Sequence, residues 1–145
     1  MAKKVPRAGL IPFVIENGEL LMLMMQPSDA DYGGDKFQIA KGKVEEGETS
    51  NQAAVREASE ELGLVPSNLR NLEYLGKFLG YTDIFYGEIE DKNNFGETTY
   101  ETGATKWMTI EEFLSSGRGL HKPIIKAFQR AISYEPSLRT RLSGK

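Results

Sequence analysis

The sequence predicts the α/β class. Three observations carry that prediction. Apolar runs of strand length flank turn-forming residues in both halves of the chain. A capped segment with helical periodicity lies between those halves, and an apolar stripe of helical spacing closes the chain.

The elements follow in order. AGLIPFVI (8–15) and LLMLMM (20–25) read as buried strands around Glu16-Asn17-Gly18-Glu19, where Asn-Gly is a strong hairpin signal. Met22, Met24 and Met25 are assigned to core packing. Residues 27–36 (PSDADYGGDK) form a loop rich in turn formers, and FQIAK (37–41) a short strand. Thr49 and Gln52 have the spacing of a capping box, and Gly63 fits a helix stop, which predicts a helix from Ser50 to Leu62. At about 100° per residue, Val55, Ala58 and Leu62 share one side and Glu57, Glu60 and Glu61 lie roughly opposite. The apolar stripe is expected to dock on a core while the carboxylates point outward. Residues 72–80 and 83–90 read as a second strand pair joined near Tyr81-Thr82, 91–100 as a polar loop and 104–109 as a short strand. Thr109 is expected to cap a short helix holding Ile110, Glu111, Glu112 and Phe113. Pro123 suits the first turn of a last helix, striped by Ile124, Ile125, Phe128, Ala131 and Ile132. The tail RTRLSGK is expected to fray.

Composition narrows the function. A chain of 145 residues is expected to form one domain, 1–145, with a sizeable core. A net charge of −3 argues against stable nucleic-acid binding, which needs a basic face. The absence of Cys removes disulfides, thiol nucleophiles and thiolate metal ligands. No apolar run is long enough to span a membrane, and the basic start MAKKVPRAG has no apolar segment beside it, so a cytoplasmic location is the expectation.

The chemistry concentrates in Gly42–Leu64, GKVEEGETSNQAAVREASEELGL. Glu57, Glu60 and Glu61 stand at i, i+3 and i+4, so a helix places them on one face. Like charges so placed cost about 0.2–0.5 kcal/mol per pair. A hard cation such as Mg²⁺, which prefers oxygen ligands, turns that cost into a site. Gly42 and Gly47 bracket a loop whose backbone can approach a phosphate or a metal.

The full pattern reads Gly42, five residues, Glu48, seven residues, Arg56-Glu57, an apolar residue, any residue, Glu60-Glu61, any residue, Gly63 and apolar Leu64. It resembles the Nudix box at every defined position. The resemblance implies an α/β/α sandwich with a mixed sheet between helices. It also implies a hydrolase that cleaves a diphosphate linkage in a nucleoside diphosphate derivative with Mg²⁺ or Mn²⁺. Glu57, Glu60, Glu61 and the backbone carbonyl of Lys41 are then metal ligands. Glu57 is the favoured general base among them, and Arg56 orients Glu57 and pairs with Glu48. A further carboxylate often comes from a late loop; the stretch ETGATKWMTIEEF places Glu101 six residues before Trp107, with Glu97 as competitor. Where relatives often carry Pro at the box entrance, this chain has Ala40, which removes a backbone restraint but no ligand.

The resemblance also bears on the substrate, a small nucleotide. Lys41 is placed to contact a phosphate and Phe37 stands near the base pocket of relatives. Tyr81 lies 17 residues beyond Leu64, within the spacing of a Tyr in dinucleoside polyphosphate hydrolases; Phe85 and Tyr86 are its alternatives. A dinucleoside polyphosphate such as diadenosine tetraphosphate is the leading substrate. ADP-ribose, a nucleoside triphosphate and the triphosphate end of an mRNA are the alternatives, and a nucleotide-sensing binding module is the non-enzyme reading. Trp107 is assigned to the core and His121 to the surface or a cap. The sequence leaves oligomeric state open.

Overall fold

The computed structural model describes residues 5–32 and 34–143; Met1–Lys4, Gly33 and the end of the tail, Gly144 and Lys145, lie outside them. The first hairpin joins β1 (Arg7–Glu16) to β2 (Glu19–Pro27). Asn17 (φ 53°) and Gly18 (φ 79°) both adopt the left-handed region, as a two-residue hairpin turn requires. There follow β3 (Ala40–Lys43), α1 (Ser50–Leu62), β4 (Glu73–Phe78), β5 (Thr82–Glu88), β6 (Thr102–Met108), α2 (Ile110–Ser116), α3 (Lys122–Ser133) and α4 (Pro136–Ser143).

These strands form one mixed sheet in the order β4-β5-β1-β2-β6. β1 runs parallel to β5 and antiparallel to its other neighbours. Its far edge is shared: residues 7–10 pair with β3 and residues 13–16 with β2. The sheet therefore forks at the end where β3 enters.

Strand alternation sends side chains to two cores. Ile11, Phe13, Met22, Met24, Ile84 and Tyr86 meet Phe113 of α2, Ile124, Ile125, Phe128 and Ile132 of α3, and Leu138 of α4. Leu10, Val14, Leu23, Met25 and Phe85 meet Ala53, Ala54, Ala58 and Leu62 of α1. The result is the expected sandwich of helices on both faces of a sheet. Among the described residues no helix is long and apolar enough to cross a membrane.

Helix α1 has the predicted bounds, and its caps explain why. Thr49 accepts from the Gln52 backbone N–H, and the Gln52 side chain accepts from the Thr49 N–H. Gly63 ends the helix at φ 76°, and a Cβ there would lie 2.1 Å from the Gly96 carbonyl oxygen. The tail departs from expectation. Instead of fraying, its described part forms α4, anchored by buried Leu138 and by Arg141, which donates to both oxygens of Glu88 (2.9 and 2.5 Å). Those partners are distant in sequence, so local composition could not reveal them.

Candidate active site

Helix α1 packs on β1 and β3 through Ala54 and Ala58, whose small side chains bring it close to the sheet. That close approach changes the disposition of the glutamates. Glu57 is 8% exposed, and Glu61 is half-buried. The expectation that all the carboxylates point outward is corrected here: positions 57 and 61 sit beside the alanine stripe and are drawn into the groove between α1 and β3.

Gly42 makes room for the first of them. A Cβ at position 42 would lie 2.2 Å from Glu57 Oε2, so only a glycine admits that carboxyl. Glu61 Oε1 accepts from the Lys41 backbone N–H at 3.2 Å. Burial, with the neighbouring Glu57 carboxylate adding to it, pushes the Glu61 carboxyl up to about 9.

Arg56 organises the same wall. Its Nε and Nη2 donate to the two oxygens of Glu48 (2.7 and 3.1 Å), and Nη2 also reaches the Lys43 carbonyl (2.9 Å). Its Nη1 donates to Glu57 Oε2 (2.9 Å) and to Glu60 (3.3 Å). The hydrogen bond to Arg56 holds the Glu48 carboxyl below the usual carboxylate range.

Glu101 joins from the loop before β6. The last carbonyls of α1 have no helical partner, and this loop supplies it. Thr99 N–H donates to the Glu60 carbonyl and Thr102 Oγ1 to the Glu61 carbonyl, both at 2.8 Å. The stitch brings Glu101 to the wall formed by Glu57, Glu60 and Glu61, and all four line one cleft of about 770 Å³. Glu97, the competitor, is exposed and does not line it.

The cleft also has a cationic and apolar lining. Lys41, Arg7 and Arg118 line it together with Leu79, Tyr81 and Leu120. Burial, then the nearby Arg7 and Arg118 charges, lower the Lys41 ammonium pKa. Tyr81 closes the β4–β5 turn; its N–H donates to the Phe78 carbonyl and its carbonyl accepts from Arg7 N–H. Within that turn Leu79 takes φ 55°, a left-handed conformation that costs a residue with a Cβ about 1–2 kcal/mol. Phe85 and Tyr86, the alternatives to Tyr81, are buried in the two cores.

Two expected placements differ. Phe37 does not line this cleft; its ring packs against the α3-side core, 6.0 Å from Lys106 Nζ. His121 is fully buried, neither at the surface nor capping a helix with its side chain. Its Nδ1 accepts from the Ile39 backbone N–H at 3.0 Å, which ties the residue before β3 to the start of α3. Burial, with Lys41 and Arg118 adding to it, holds the imidazole down to about 3. The residues that sequence reasoning missed are Arg7 and Arg118, isolated cations with no motif around them.

The donor set suits a hard divalent cation. It consists of carboxylate oxygens, with the Lys41 backbone N–H bonded to one of them, and hard cations prefer oxygen ligands. Among the described residues no three His, Cys, Asp or Glu side chains are gathered into a closed cage; Arg56 bridges Glu57 and Glu60 instead.

The chain is similar to known proteins in sequence and in fold. The family model of the NUDIX domain matches residues 3–128. The bis(5'-nucleosyl)-tetraphosphatase [asymmetrical] of Mus musculus is 32% identical over 114 residues, covering 73% of this chain and 75% of that protein. A C. elegans Ap4A hydrolase binary complex superposes with a TM-score of 0.68 at 21% identity, covering 90% of this chain and 98% of that one. The M. smegmatis Nudix hydrolase RenU gives a TM-score of 0.76 at 15% identity, covering 94% and 90% of the two chains.

Proposed function

The chain belongs to the NUDIX domain family as a pyrophosphohydrolase, and we propose that it hydrolyses dinucleoside polyphosphates, with diadenosine tetraphosphate as the leading substrate. One observation carries the reading: the carboxylates of Glu57, Glu60, Glu61 and Glu101 share a single cleft with Tyr81 and Lys41. A polyphosphate needs charge neutralisation, a nucleobase needs an aromatic face, and the cleft offers both. The similarity to the mouse tetraphosphatase supports the same choice.

Glu57, Glu60, Glu61 and the Lys41 carbonyl are the residues proposed to hold Mg²⁺ or Mn²⁺, with Glu101 as the late carboxylate. When bound, such an ion would neutralise the diphosphate and lower the pKa of attacking water. The remaining work falls to the chain. Arg56, anchored on Glu48, fixes the Glu57 carboxyl; Gly42 gives that carboxyl its space. Glu57 is the proposed acceptor of the proton from the attacking water, since its position is set from both sides. Lys41 would bind a phosphate, and Tyr81 would stack on a base.

The deciding experiment is kcat/KM for diadenosine tetraphosphate, ADP-ribose, nucleoside triphosphates and a 5′-triphosphate RNA, with Mg²⁺ and with Mn²⁺. Diadenosine tetraphosphate is expected to lead. A tenfold preference for any competitor would overturn the substrate, and no turnover on the whole panel would favour a sensing role.

A further inference from the structure

The chain builds the same pair of left-handed conformations into two hairpins. Between β1 and β2, Asn17 and Gly18 take φ 53° and 79°; between β4 and β5, Leu79 and Gly80 take φ 55° and 85°. The second turn is closed by the Tyr81 N–H, which donates to the Phe78 carbonyl at 3.2 Å. The leading residues differ in kind. Asparagine tolerates the left-handed region, whereas a residue as bulky as leucine is an outlier there.

Nothing in the turn calls for a leucine, and the core does not use it. The preceding Phe78 packs on the α3-side core, but among the described residues Leu79 belongs to neither core and is 40% exposed. Its side chain lines the cleft that Tyr81 also lines, whereas Asn17 is exposed and does not line it. Backbone strain persists where another demand fixes the residue, and it gathers at ligand sites. The two turns differ in that respect: the one with the tolerant residue lies outside the cleft, and the one with the strained residue lies on it.

We propose that Leu79 is a specificity-determining residue: it lays an apolar side chain against the nucleobase that Tyr81 stacks, and the turn carries a strained leucine for the sake of that contact. The proposal rests on the reading of the cleft as a nucleotide site with Tyr81 as its base platform. The cleft is lined mostly by charged side chains. Those suit phosphates and metal ions, and a leucine offers such groups nothing. A base presents apolar faces, so it is the part of a nucleotide that Leu79 matches. Stability and affinity are then opposed at one position, as happens where a site is held in an unfavourable conformation for function. A leucine that served packing alone would show the reverse, a loss of stability on replacement.

The test compares Leu79→Asn, Leu79→Met and Asn17→Leu in the full chain. Leu79→Asn gives the second turn the residue that the first already uses. It is expected to raise the urea midpoint. It is also expected to weaken binding of diadenosine tetraphosphate, measured by calorimetry in EDTA, by about three- to tenfold, as the loss of a partly buried apolar contact predicts. Binding of inorganic tripolyphosphate, which has no base, should not change. With Mg²⁺ the loss should appear in KM for diadenosine tetraphosphate and leave kcat in place. Leu79→Met keeps both the apolar contact and the strain, so it should retain most of the affinity without a gain in midpoint. Asn17→Leu measures a leucine in the turn outside the cleft; its midpoint should fall with both affinities unaltered. Unchanged diadenosine tetraphosphate affinity in Leu79→Asn overturns the proposal, as does an equal loss for tripolyphosphate or a lowered urea midpoint. If wild type binds diadenosine tetraphosphate no more tightly than tripolyphosphate, the cleft holds no base and the contact falls with it. If the dinucleotide binds through Leu79 and is not hydrolysed, the contact stands and the proposed substrate falls.

Discussion

Glu57 and Gly42 fit together as carboxyl and vacancy: the Glu57 Oε2 atom lies 2.2 Å from where a Cβ on residue 42 would be. The helix and the strand can approach this closely only because position 42 has no side chain. Gly42→Ala forces one of the two to move, and overpacking of this kind costs about 1–3 kcal/mol. Turnover is expected to fall at least about tenfold, because displacement of a reacting group by even an ångström is costly. Steady-state kinetics with a parallel urea melt checks it; wild-type kcat in a folded Gly42→Ala protein would mean that Glu57 has no part in the reaction.

Glu61 offers a test that separates charge from fold. Its folded pKa, about 9 in the metal-free protein, lies above the ordinary 4.5. For a raised pKa the contribution to stability is complete below 4.5 and is lost as pH rises through the raised value. Glu61→Gln removes that loss. The variant is expected to melt at or above the wild-type temperature at pH 8 without metal, to gain less from added Mg²⁺, and to turn over at least about 100-fold more slowly. If saturating Mg²⁺ stabilises both proteins equally and both turn over alike, the ion does not bind here.

Arg56 is expected to act through the groups it holds. Arg56→Ala should lower kcat more than it raises KM, since it frees Glu57 rather than removing a substrate contact. With Glu48→Ala it completes a double-mutant cycle, and the paired bonds to Glu48 predict a coupling of about 0.5–3 kcal/mol. Strict additivity in both kcat and stability would make Arg56 a bystander.

Local signals explain what the sequence made legible. The caps of α1 lie within a few residues of its ends, so its bounds follow from Thr49, Gln52 and Gly63 alone. The strand entering the box was expected at 37–41 and forms at Ala40–Lys43, because its extent is set by pairing with β1, a partner distant in the chain. Helical periodicity placed the three glutamates on one face but not the depth of that face; the alanines decide it by letting α1 sit low on the sheet. Arg7, Arg118 and His121 carried no signal for the same reason. Each acquires its surroundings only when β1, β3 and the start of α3 meet.

His121 gives a pH dependence of the opposite sign. Its folded pKa of about 3 lies below the ordinary 6.5, so its contribution is complete above pH 6.5 and is lost as pH falls toward 3. Between 4.5 and 6.5 this opposes the trend from Glu61, so the readout is the difference between wild type and His121→Leu. At pH 7.5 the variant is expected to be less stable by about 1–3 kcal/mol, the cost of leaving the Ile39 N–H without its acceptor. At pH 5.0 the gap should narrow by about 2 kcal/mol, since only wild type must then bury a neutral imidazole against protonation. Urea melts at the two pH values check it, and a gap that stays constant would show that the site accepts the charged ring.

Tyr81 carries the substrate assignment. Its backbone is held on both sides of the turn, by Phe78 and by Arg7, so replacing the ring leaves the turn in place. Stacking of a base on an aromatic face is worth about 1–3 kcal/mol, which predicts that Tyr81→Ala raises KM for diadenosine tetraphosphate by about 5- to 150-fold. Tyr81→Phe keeps the face and should change KM little, which separates stacking from a role of the hydroxyl. The same pair of variants tested on inorganic tripolyphosphate, which has no base, should show almost no difference from wild type. Loss of tripolyphosphate binding in Tyr81→Ala would mean that the ring shapes the cleft for phosphate, and the base platform would have to be sought elsewhere, with exposed Leu79 and Leu120 in the same cleft as the next candidates.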